Sequence, residues 1–280
     1  MLVRRLTLAA IFALAAACSV STELDVGAAD SEAVGRVDPT PPGAPSDGGD
    51  DPGKPSPPDA DPEPNAPGDI LGALSGSCGV VKTQIASTSP TLEQNTLVFV
   101  AGETYERTNL SPGGQRLFDT PNAGGSSTES EVMSFEILRA CEGAKLLKTE
   151  TEIAYGDDTP GAPTITDILV EIGGAKVGVS VARAYRPQNL AFPDADVKAL
   201  IQKKLEGVNR SSERVKPEDK WVKQILHVFA ANKAQADAVV RVLPTIDAAT
   251  RADTIVLLTQ TTGGGFVYCN PDPPLGSECP

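Results

Sequence analysis

The chain has 280 residues, with 37 acids against 24 bases, a net charge of −13 and a single histidine. That acidity argues against a general phosphate-binding surface, so nucleic acid is not an expected partner. One histidine and the absence of any Cys-x-x-Cys pair exclude the usual clustered zinc sites.

The first five residues carry Arg4 and Arg5, and an apolar run from Leu6 to Ala17 follows. This predicts a signal peptide over residues 1–17, too short to span a membrane. The run Leu14-Ala15-Ala16-Ala17-Cys18 resembles a bacterial lipobox. The resemblance implies lipidation of Cys18 and anchorage to a membrane through its acyl chains. Ordinary cleavage after an Ala-x-Ala site is the alternative. Ser19 in place of aspartate implies an outer-membrane address, facing periplasm or exterior.

Residues 19–68 hold eleven acids and two bases, and eleven of the 24 prolines fall between Pro39 and Pro67. Such a stretch cannot bury enough apolar surface to offset its ordering entropy. Residues 18–68 are therefore predicted to be a disordered acidic tether, extended by proline and by like charge. The remaining residues, 69–280, are long enough for one domain with a sizeable core. Four cysteines remain there, an even number suited to an oxidising compartment. Proximity in sequence favours Cys269–Cys279 and Cys78–Cys141 among three possible pairings.

Within the domain, residues 78–120 read as a β-rich lead-in, with turns at Ser89-Pro90 and Ser111-Pro112-Gly113-Gly114. Ser126 with Glu129, and Thr128 with Glu131, match capping boxes. Val132, Phe135 and Leu138 recur at helical spacing, so a helix is expected over about 128–142, stopped by Gly143. A strand follows at about 144–155, with Lys148, Glu150 and Glu152 on one side. Gly173-Gly174 between two apolar runs predicts a β-hairpin, 164–172 and 175–185. Helices are then expected at about 193–207 and from Pro217, a strand at 224–231 and a helix at 233–243. A buried strand follows at 252–259, and Thr261–Cys269 reads as a short edge strand. Strand, helix, strand implies a parallel crossover, and the continuously apolar strands imply a sheet covered on both faces. The class is α/β, a mixed sheet flanked by helices.

Helix with a glutamate, strand, hairpin, helix, strand is an order that resembles the PD-(D/E)xK superfamily, the restriction-endonuclease-like fold. The resemblance implies an acid near the start of the first hairpin strand, which Asp167 matches, and a helix glutamate, for which Glu131 and Glu136 are candidates. It also implies Glu-x-Lys on the second strand, where this chain has Ser180 and Ala182, with Arg183 next door. Carboxylates of that family hold Mg²⁺, and the lysine assists the attacking water. The pattern tDxxVEIxGxKVGVSVtRA further resembles a family of unknown function, which supplies no activity.

With both diagnostic side chains missing, the leading expectation is a lipid-anchored envelope protein whose domain binds or scaffolds without chemistry and needs no cofactor, with an unidentified protein or ligand as partner. The alternative is a Mg²⁺-dependent phosphodiesterase with migrated carboxylates, Glu131, Asp167 and Glu171, the last two as metal ligands. Glu150 and Glu152 are further candidates for that site. In the opposing reading, Glu171 and Lys176 form a surface pair across the hairpin. His227, in an apolar strand, reads as a core residue before it reads as a hydrolase base, and Gln224 stands beside it in the same strand. Gly263-Gly264-Gly265 lacks the residues of a phosphate loop.

Overall fold

The computed structural model describes residues 70–121, 128–156, 165–187 and 190–268. The predicted signal peptide, Cys18, the tether, Cys269 and Cys279 lie outside the described residues. The elements in order are β1 (Ala73–Gly76), α1 (Val81–Gln84), β2 (Thr91–Val98), α2 (Pro112–Asp119), α3 (Thr128–Glu142), β3 (Lys145–Thr149), β4 (Ile168–Ile172), β5 (Ala175–Arg183), α4 (Asp194–Arg214), β6 (Lys223–Ala230), α5 (Lys233–Val242), α6 (Ala248–Arg251) and β7 (Ile255–Thr262).

The strands form one seven-stranded mixed sheet in the order β1-β2-β7-β6-β5-β4-β3. The centre is parallel, β2 to β7 to β6 to β5, and both margins are antiparallel. The run α3-β3-β4-β5-α4-β6, with an antiparallel hairpin and a parallel β5–β6 pair, is the element order expected from the sequence. Helix α3 covers one face through Val132, Met133, Phe135 and Leu138, against Ile168, Val179, Ile225 and Leu257. Helices α4 and α5 cover the other face through Val197, Ile201, Leu205 and Val239, against Leu226, Val228 and Leu258. All eight residues of β6 are buried, as a strand covered on both faces requires.

Local chemistry explains the elements that match expectation. In the hairpin turn, Gly173 and Gly174 have φ of 60° and 82°, the pair of left-handed residues that a two-residue turn demands. Helix α3 ends where expected. Gly143 takes φ 68°, its N–H donates to Arg139 O, and Ala144 N–H reaches back to Leu138 O.

Several elements differ from expectation. Val81–Gln84, read as part of the β lead-in, is a single helical turn, and the strand expected at about 144–155 ends at Thr149, where Glu150–Glu152 turns as a 3-10 segment. Gln115–Asp119, read as part of the β lead-in, is helical. Ser111 caps α2 by accepting from Gly114 N at 3.2 Å, and Pro112 sits in the first turn. The two glycines that read as a turn are there for packing, because a Cβ on Gly114 would lie 2.1 Å from Glu136 Oε1 on α3. Helix α4 runs through Gly207 to Arg214, since Val208 and Ser211 prolong the buried face of Val197, Ile201 and Leu205. The chain after Thr262 turns through a 3-10 segment, Gly265–Tyr268, and β7 lies inside the sheet between β2 and β6, so the expected edge strand is absent among the described residues.

Candidate functional site

Asp167 stands at the mouth of the hairpin, one residue before β4. Its N–H donates to Val179 O at 3.1 Å, and its Oδ2 accepts from Val181 N. Val181 is the residue between Ser180 and Ala182, the two places where the glutamate and lysine of the resembled motif are missing. Its carbonyl is also engaged, by Lys204 Nζ at 3.1 Å. A single residue of β5, Val181, thus holds an acid from the hairpin through its N–H and a base from α4 through its C=O.

Asp167 keeps a narrow opening to solvent, yet many atoms crowd it. That crowding removes the hydration an ionised carboxylate needs. Burial first and the Glu131 carboxylate second push its pKa up to about 8, against the opposing pull of Lys204 and of the Val181 N–H. Glu131, in the first turn of α3, is itself buried at 5 % exposure. Arg183, two residues beyond Val181, feels both Glu129 and Glu131, and burial holds its guanidinium below the ordinary value. Asp167, at the open end of the hairpin, thus feels Glu131 of α3 and Lys204 of α4, while Arg183 of β5 feels Glu129 and Glu131.

The other predicted residues separate from this group. Glu136 is buried elsewhere on α3 and is fully engaged. Its Oε1 accepts from Ser111 N at 3.0 Å and from Ser111 Oγ at 2.5 Å, and its Oε2 accepts from Arg139 Nε at 3.0 Å. That leaves Glu131 as the helix glutamate near Asp167. Glu171 does not share the site. It lies four strand residues away, about 13 Å along the strand, in a ladder position opposite Lys176, and its carboxylate stands 3.6 Å from the exposed Lys145 Nζ. Glu152 pairs with Arg116 at 2.6 Å. Glu150 contributes to the field at Asp167 as the weakest of its influences.

His227 is fully buried between Ser134 Oγ and Thr259 Oγ1, each 2.8 Å from a ring nitrogen, and stacks on Phe229. Burial lowers its pKa to about 3, so it is a neutral core residue. Gln224 belongs to a buried polar knot with Thr166, Ser211 and Ser212 that ties α4 to the residue before Asp167. The Gly263-Gly264 turn packs against Phe99, whose ring a Cβ on Gly264 would enter at 2.1 Å, so the turn is built for that ring. The predicted Cys78–Cys141 disulfide is present, with Cα atoms 4.7 Å apart.

Sequence reasoning missed Lys204. It lies on a helix whose pattern explains it as one more solvated lysine, and only the tertiary placement of α4 against Val181 reveals it. The signal available was the pair Lys203-Lys204 beside Leu205, with Leu205 buried.

Among the described residues no three His, Cys, Asp or Glu side chains gather as a metal cage. Glu131 and Asp167 still fit Mg²⁺, which characteristically takes one or two carboxylates and completes its shell with water and substrate phosphate. Among the described residues no helix is long and apolar enough to cross a membrane. A separate cavity of 520 Å³, lined by Ile70, Leu71, Thr104, Thr108, Ser111 and Arg139 among others, does not include Asp167.

No family model matches the chain. A protein of Dictyostelium discoideum, the AAC-rich mRNA clone AAC4 protein, is 43% identical over 166 residues. The match covers 57% of this chain and 24% of that protein, so the chain spans about a quarter of its relative. Among solved structures, Pyrococcus furiosus SfsA in complex with Ca²⁺ aligns with a TM-score of 0.27 at 15% identity, over 52% of this chain and 70% of that one.

Proposed function

We propose that the domain acts on phosphodiesters, with Glu131 and Asp167 holding a divalent cation such as Mg²⁺ and Lys204 standing in for the lysine absent at Ala182. The observation that carries this reading is Val181, whose N–H holds the acid and whose C=O holds the base between the two positions where the motif is missing. A bound cation would neutralise phosphate charge and lower the pKa of a coordinated water. The chain's own residues supply the rest. Asp167, which binds a proton in the empty site, must give it up to bind a cation. Lys204, held by the Val181 carbonyl, places a positive charge where negative charge builds on phosphate. Arg183 adds a second positive charge on the α3 side. Crowding two acids and two bases into a poorly hydrated place costs stability, which is the usual mark of a working site.

A second reading keeps the fold and drops the chemistry. No three His, Cys, Asp or Glu side chains converge among the described residues, which favours a domain that binds a phosphorylated or acidic-phosphate ligand without cleaving it. In either reading we place the protein at the cell envelope, attached to the membrane through acylated Cys18, with residues 18–68 as spacer.

The test is hydrolysis of single-stranded and duplex DNA, RNA and bis(p-nitrophenyl) phosphate with Mg²⁺ or Mn²⁺ at pH 8.5, with calorimetry of metal binding alongside. The first reading expects turnover that falls by 10²-fold or more in Asp167→Asn and Lys204→Met. Metal binding without turnover selects the second reading. No metal binding at a pH where Asp167 is ionised overturns the first.

A further inference from the structure

We propose that the Cys78–Cys141 disulfide is a redox-operated clasp that holds the segment Ile70–Gln84 closed over the 520 Å³ cavity. This inference is independent of the site at Asp167.

The clasp is visible in how that segment is attached. It comprises β1, a turn and the single-turn helix α1, and it has three attachments to the rest of the domain. The disulfide joins Cys78 in the turn to Cys141 in the last turn of α3. Beside it, the buried carboxylate of Glu142 accepts from Gly79 N at 2.8 Å and Lys82 N at 3.0 Å, which neutralises the open end of α1. The third attachment is the four-residue ladder of β1 on β2, at the margin of the sheet, where three of the four β1 residues are exposed. Leu71 and Val81 are the buried apolar anchors of the segment.

Two features separate this bond from a buried structural staple. Cys78 is an exposed residue and Cys141 is half-buried, so the bond lies near the surface rather than in the core, where a disulfide is more open to exchange. The segment it holds also walls the cavity: Ile70 and Leu71 line one side, while Thr104, Thr108, Ser111 and Arg139 line the other. Leu71 and Val81 of the segment belong to the main core cluster, while the core on the α4–α5 face contains no residue of the segment. A dithiol donates two electrons and two protons to the bond and leaves as a cyclic disulfide, and Cys78 and Cys141 become thiols. The segment then rests on Glu142, a short marginal ladder and the packing of Leu71 and Val81, and the cavity, already open to solvent, widens where Ile70 and Leu71 wall it.

Hydrogen exchange read by mass spectrometry tests this on the full chain. A Cys269→Ser/Cys279→Ser variant leaves Cys78–Cys141 as the bond under study, and alkylation mass counts the thiols released by dithiothreitol under native conditions. The expected result is two thiols at Cys78 and Cys141, with exchange in residues 70–84 and 104–111 faster by tenfold or more and β5, β6 and β7 unchanged. Adding Glu142→Gln should speed exchange in 70–84 further in the reduced protein, and little in the oxidised one. Three results overturn the proposal. They are resistance to the dithiol in the folded protein, unchanged exchange in 70–84 after reduction, and loss of protection spreading through β6 and β7, which would make the bond a staple of the whole domain.

Discussion

Replacing Asp167 by asparagine should stabilise the protein above neutral pH while it removes the proposed function. The substitution keeps the shape, and an amide oxygen can still accept from Val181 N. What it removes is the titration. In the folded protein the Asp167 carboxyl lies at about 8 against an ordinary value of 3.8, so the native state holds a proton that the unfolded chain has released. The native value is the raised one. The stabilisation linked to that proton is therefore complete below pH ~4 and is lost as pH rises toward ~8. A rigid site would lose about 6 kcal/mol across that window, at roughly 1.4 kcal/mol per pH unit, and relaxation with water entry should reduce this to about 2 kcal/mol. Urea denaturation at pH 5 and pH 9 measures it. Wild type and Asp167→Asn should differ little at pH 5, and the variant should be the more stable by about 2 kcal/mol at pH 9. Taking the difference between the two proteins cancels every other titrating group. Equal stability at pH 9, or a less stable variant there, would refute the claim that Asp167 is crowded and opposed by Glu131.

His227 titrates in the opposite sense: its folded value of about 3 lies below the ordinary 6.5, so its stabilisation is present above pH ~6.5 and is lost as pH falls toward 3. As the chain's only histidine it gives a single imidazole NMR signal, which should not titrate down to pH 5, and acidification to pH 4 should cost roughly 3 kcal/mol through this residue. Glu136→Ala would leave Arg139 and the Ser111 cap without their carboxylate, with an expected loss of about 3 kcal/mol in denaturant unfolding. In Gly178→Ala the new methyl would stand 2.8 Å from the Trp221 ring, which should shift tryptophan fluorescence to longer wavelength and cost about 1–3 kcal/mol. An unshifted spectrum would show that Trp221 does not rest on Gly178.

The parts of this fold that were legible in the sequence are those whose signals are local. Helix α3 carries its own periodicity, first-turn acids and terminal glycine, and the hairpin carries its turn. Strands β6 and β7 carry apolar runs, Ile225-Leu226 with Val228–Ala230 and Ile255–Leu258, because helices cover both faces. What was not legible depends on partners far away in the chain. Gly113 and Gly114 read as a turn until Phe135 and Glu136 are seen against them, and then the same residues make a close-packed helix. Glu171 shares an alternation parity with Asp167, but parity says nothing of distance, and the two differ in burial. Glu136 and Glu131 are indistinguishable as helix acids, and only Ser111 and Arg139 mark the first as a structural brace. Lys204 becomes a candidate because α4 crosses β5 at Val181, which no spacing between residues 181 and 204 predicts.

The placement of β2 has a consequence for how the domain is made. Thr91–Val98 pairs in parallel with Ile255–Thr262, the last strand of the sheet, so an early piece of chain waits for nearly the whole domain before it finds its main neighbour. Pairings of such long range are slow to form. A growing chain therefore carries β2 paired only to the short β1, with its other edge open to mispairing with other chains, until Thr262 is free. Truncation at any point before β7 should yield an aggregating fragment, because the removed strand is the one that closes the sheet around its own beginning.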